Sequence, residues 1–60
     1  MKEIKVNDIV KFEAWIDGYL VKRMGIIMAI NSFHRGTMYE VFVINRGKKF
    51  IDHDEIKQIL

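Results

Sequence analysis

An all-β domain of five short strands is the fold this sequence predicts, and three observations carry it. Half of the 60 residues are apolar, and 15 of those are Val or Ile, whose branched side chains fit a pleated surface better than a helix. Apolar residues recur at every second position in Val10, Phe12, Ala14 and Ile16, and again in Tyr39, Val41 and Val43. Turn-forming residues separate such runs, at Asp17-Gly18, Arg35-Gly36 and Asn45-Arg46-Gly47.

The first strand is expected from Asp8 to Ile16, with Val10 and Phe12 facing the core. Asp17-Gly18 supplies a turn in which Gly takes positive φ, and Tyr19 joins it at the loop tip. A second strand from Val21 to Asn31 contains Gly25, the sign of a bulge or a close backbone approach. The uninterrupted apolar run Ile26-Ile27-Met28-Ala29-Ile30 does not alternate, so one register cannot bury all of it. Asn31 to Gly36 reads as a polar hairpin loop. The third strand is Met38 to Ile44, turning through Asn45-Arg46-Gly47 into a short fourth strand, Lys48 to Ile51. Asp52 and Glu55 have capping-box spacing before one 3₁₀ turn. Ile56 and Ile59 then return to the core in a closing strand.

The third strand carries the main clue to function. Tyr39, Val41 and Val43 point one way, whereas Phe42 and Ile44 point the other, and a chain of this length has room for one core. Phe42, Ile44, Met28 and Ile9 are thus candidates for outward apolar positions. Either the N-terminal segment Met1–Lys5, with Ile4, folds over them, or they mark an interaction surface.

Composition bounds the rest. Residues 1–60 form a single domain, near the lower limit of what folds without a disulfide, metal or oligomer. The absence of cysteine excludes disulfides and thiolate metal sites. A net charge of +2 is too small for a general polyanion binder, but residues 18–49 carry six basic residues against Glu40 alone. No apolar run is long enough for a membrane span or a signal peptide, so a cytoplasmic location is expected.

Several stretches resemble the Src homology 3-like small barrels. Asn7-Asp8-Ile9-Val10-Lys11-Phe12 is similar to their opening strand, with Asn7 where Gly is usual. Gly25-Ile26-Ile27 followed by Ile30 resembles the second strand, and Ile51-Asp52-His53-Asp54-Glu55-Ile56 followed by Ile59 resembles the ending. The resemblance covers nearly the whole chain and is greatest to short stand-alone barrel proteins of bacteriophages. It implies a five-stranded barrel with one 3₁₀ turn before the last strand. It also implies a phage-type accessory, virion-associated or host-modulating role, in the host cytoplasm or the virion.

No residue set suggests catalysis. His34 and His53 lie near Asp52, Asp54 and Glu55 in sequence, but a metal or acid–base site needs a further ligand or nucleophile. Ser32 and Thr37 are the lone serine and threonine, which leaves a nucleophilic triad little support. No enzyme activity, cofactor, metal or small-molecule substrate is expected. Trp15 and Tyr19 flank a turn where barrel modules grip peptides, although an aromatic cage would need more aromatics than these and Phe33. The leading expectation is a non-catalytic binding module acting by protein–protein contact or self-association through Trp15, Tyr19, Phe42 and Ile44. The alternative is a nucleic-acid-binding barrel that uses Lys22, Arg23, Arg35, Arg46, Lys48 and Lys49 beside Phe33 or Phe50.

Overall fold

The computed structural model describes residues 3–60. Five antiparallel strands, β1 (Ile9–Ile16), β2 (Tyr19–Phe33), β3 (Gly36–Val43), β4 (Gly47–Asp52) and β5 (Ile56–Ile59), make one sheet in the order β4-β3-β2-β1-β5. A single 3₁₀ turn, η1 (His53–Glu55), joins β4 to β5. The molecule measures 26 × 24 × 21 Å. A flat single-layered sheet would be only about 10 Å thick, so this one must curl around its own inner face.

Two features of β2 let it curl. Its first half pairs with β1 and its second half with β3, and the β2–β3 register shifts between Ile27 and Ala29, leaving Met28 as a bulge. At Gly25 a Cβ atom would lie 2.3 Å from Val41 Cγ1 and 2.9 Å from the Phe42 carbonyl oxygen. Glycine therefore lets β3 cross β2 at a separation no side chain permits.

The turns follow from local chemistry. Asp17 and Gly18 both have positive φ, at 52° and 83°, as a two-residue type I′ hairpin requires. Asn7 (φ 78°) and Asn45 (φ 67°) hold the third position of turns closed by Asp8 N–H to the Lys5 carbonyl and Arg46 N–H to the Val43 carbonyl. Asn is the residue after Gly that best tolerates that conformation. Backbone bonds between Asn7 and Asp8 and the two sides of Ile27 pin the first turn onto β2.

Inside lie Ile4, Val10, Phe12, Ala14, Ile27, Tyr39, Val41, Val43, Ile51 and Ile56, with Ile59 packed at the margin. The alternation of β1 and β3 is as the sequence predicts. Glu55 Oε1 accepts the Asp52 N–H at 2.7 Å, and Tyr39 Oη lies 3.3 Å from His53 Nδ1. These contacts hold η1 against the sheet, where it touches β1 and β3.

Three expectations need correction. Tyr19 is not a loop-tip residue but opens β2 opposite Ile16. The polar segment 31–36 is not a six-residue loop, because β2 and β3 stay paired until Phe33 meets Gly36. Ladder bonds are main-chain bonds, and polar side chains facing water do not interrupt them. Finally, the sheet is not hydrogen-bonded into a closed barrel. Strands β4 and β5 form its two edges, and η1 takes the chain from one to the other in three residues, so the edges are linked through η1 and not through a ladder.

Candidate protein-contact site

The inward alternation of the central strands fixes what their outer face presents. Ile9, Ile26 and Phe42 are direct neighbours across β1, β2 and β3, and Lys48 follows on β4. On the other side Leu60 N–H donates to the Ile9 carbonyl, which extends the row. Ile9 is 44% exposed, Ile26 37% and Phe42 41%. From Leu60 to Phe42 this apolar row runs about 14 Å, at roughly 4.8 Å per strand. Met24 and Met28, also exposed, flank Ile26 along β2. Ile4 is buried in the interior cluster and so does not cover this face; the expected cover by Met1 and Lys2 lies outside the described residues.

Ion pairs lie beyond the row. Glu40 and Lys48 are 3.1 Å apart, and Glu13 and Lys22, directly opposite on β1 and β2, are 4.0 Å apart. Trp15 pairs with Leu20 beyond the second of these, at the hairpin end, and is 72% exposed. It stands six residues along β1 from Ile9, about 20 Å away. Tyr19, 74% exposed, belongs to the Ile16 pair and lies on the opposite face of the hairpin from Trp15. Ile44 is exposed in the turn after β3. The four expected contact residues thus occupy separate places, and Phe42 alone lies in the row. Ile26, Met24 and Leu60 are the members that sequence reasoning missed.

The six candidate nucleic-acid residues are also divided. Lys22 is outward beside Glu13, while Arg23 faces the Phe12 side and donates to the Lys22 carbonyl at 3.1 Å. Arg35 occupies the β2–β3 turn, at the opposite end of β3 from Arg46. Lys48 is paired with Glu40, and Lys49, opposite Val41, is half-buried on the inner side.

Lys22 and Arg23 do meet two cations from outside the basic middle of the sequence. An open cleft of about 450 Å³, beside β1 and β5, is lined by Lys11, Lys22, Arg23 and Lys57, with Glu13 and Met24. Four cations against one carboxylate give it +3, where the whole chain carries +2. Among the described residues no three His, Cys, Asp or Glu side chains group to hold a metal ion, and no helix is long and apolar enough to cross a membrane. No protein-family profile, curated protein or solved structure matches the chain.

Proposed function

We propose that this chain is a non-catalytic binding module that works by protein–protein contact or self-association through the outer face of β1, β2 and β3. The row of Ile9, Ile26 and Phe42 supports this reading, because three exposed apolar residues in cross-strand register, extended by Met24, Met28 and Leu60, exceed the scattered exposure usual on a monomer. Area is sufficient as well. A standard interface removes about 800 Å² per partner, roughly a sixth of the 4672 Å² this molecule exposes, about one face of a body with these dimensions. We read the strand arrangement as Src homology 3-like, with its two edge strands left unclosed. The strand order with β5 beside β1, and the 3₁₀ turn before β5, support that assignment.

Protein contact is preferred to nucleic-acid binding because a phosphate track requires continuous cations, and of the six candidates only Lys22 and Arg23 share the cationic cleft, with Arg35, Arg46, Lys48 and Lys49 outside it. The test is sedimentation equilibrium together with affinity capture, for the wild-type chain and Phe42→Ser. The wild-type chain is expected to self-associate or to retain partners, and Phe42→Ser, with its β-sheet spectrum intact, to lose both. A monomeric wild-type chain whose captured proteins are unchanged by Phe42→Ser removes the proposal.

A further inference from the structure

The apolar row and the cationic cleft adjoin. Lys11 and Met24, which line the cleft, form the cross-strand pair next to Ile9 and Ile26, and Gln58 continues that line on β5. One partner surface can therefore cover both. Of the four cleft cations only Lys22 has a described carboxylate within 4.0 Å, Glu13. Lys57 donates to the Asp54 carbonyl and Arg23 to the Lys22 carbonyl, contacts that place the charges without neutralising them. Like charges collected in a concavity repel one another and focus a positive potential, which an incoming anion relieves.

Resting on the protein-contact reading above, we infer that the partner is an acidic amphipathic segment of another protein. Its apolar side chains lie on Ile9, Ile26 and Phe42, and its carboxylates enter the cleft of Lys11, Lys22, Arg23 and Lys57. Charge complementarity selects this occupant over two others. A second copy presenting the same outer face would bring Glu13 and Glu40, both already engaged by lysines. A single-stranded nucleic acid stacks successive bases on aromatic side chains, and the cleft has one exposed aromatic beside it, Trp15 past the Glu13–Lys22 pair, while the row on its other side is aliphatic apart from Phe42.

Fluorescence anisotropy with labelled 12-residue peptides tests the inference. Two are patterned with Leu and Phe against Glu, one at period two and one at helical period, and each has a counterpart with Lys replacing Glu. Labelled polyglutamate and a dT12 oligonucleotide complete the set. At least one acidic amphipathic peptide is expected to bind about tenfold or more tighter than its Lys counterpart, and to weaken about tenfold with Lys11→Glu/Lys57→Glu, as salt-sensitive charge pairs do. Phe42→Ser is expected to weaken it comparably. The inference is overturned if neither acidic peptide binds, if polyglutamate or dT12 binds as tightly, or if the charge reversal has no effect. If Phe42→Ser abolishes the self-association or capture described above while Lys11→Glu/Lys57→Glu leaves peptide binding unchanged, the partner chemistry fails and the contact face stands. If Phe42→Ser changes nothing in either experiment, the contact face fails too.

Discussion

Gly25 and Phe42 show how single side chains divide the labour of this sheet. The Gly25 Cα lies where any Cβ would strike Val41 and the Phe42 carbonyl, so Gly25→Ala is expected to cost about 2 kcal/mol through forced displacement of β3, read as a lower urea midpoint with unchanged slope. Phe12→Ala, at a wholly buried position, should cost about 3–5 kcal/mol. Phe42→Ser should cost about 1 kcal/mol or less, since that ring is far from fully buried; a large loss of stability in the same titration would make Phe42 a core residue. Asn45, at φ 67°, predicts that Asn45→Ala destabilises by about 1 kcal/mol and Asn45→Gly does not. The buried set of β1 and β3 was legible because period two needs no tertiary information. Asn7 was legible as a turn residue, but only its φ of 78° explains why Asn can replace Gly there.

The strands were legible individually and less so as pairs. Asp17-Gly18 predicts a two-residue turn, and that turn places Ile16 opposite Tyr19. Counting back along both strands puts Ile9 opposite Ile26, so half of the contact row could have been found by register arithmetic. The other half could not, because the bulge at Met28 displaces β2 against β3 by one residue, and a run of five apolar residues gives no sign of where such a shift falls. A similar limit hid the cleft, where β5 returns Lys57 beside β1 from a region that reads as acidic in sequence. The short β5 depends on its approach through η1. Glu55→Ala, which removes the acceptor for the Asp52 N–H, is expected to cost about 0.5–1 kcal/mol and to speed amide exchange in β5 more than in β2.

Two-sided demand for apolar contact sets the behaviour of the molecule as a whole. If the outer row is the contact surface, the acidic-peptide binding that survives the charge-removing variant Lys11→Gln/Lys57→Gln should strengthen in sulfate, which favours apolar burial, in the same anisotropy measurement. Binding dominated by phosphate contacts would instead weaken steeply with salt. The uncharged stretch Ile26–Ile30 has a further consequence. It lies in β2, where β3 pairs with it on one side except at the Met28 bulge, and on the other side β1 and the Asn7–Asp8 turn reach only Ile26 and Ile27, so β3 is the one strand that pairs beyond Ile27. During synthesis, before β3 has emerged to pair with it, the same five residues have high β-propensity and neither charge nor proline to block strand stacking. The interval between translating Ile30 and docking β3 is therefore when this protein is most exposed to aggregation, and variants that loosen the β2–β3 hairpin should lose soluble yield before they lose measurable stability.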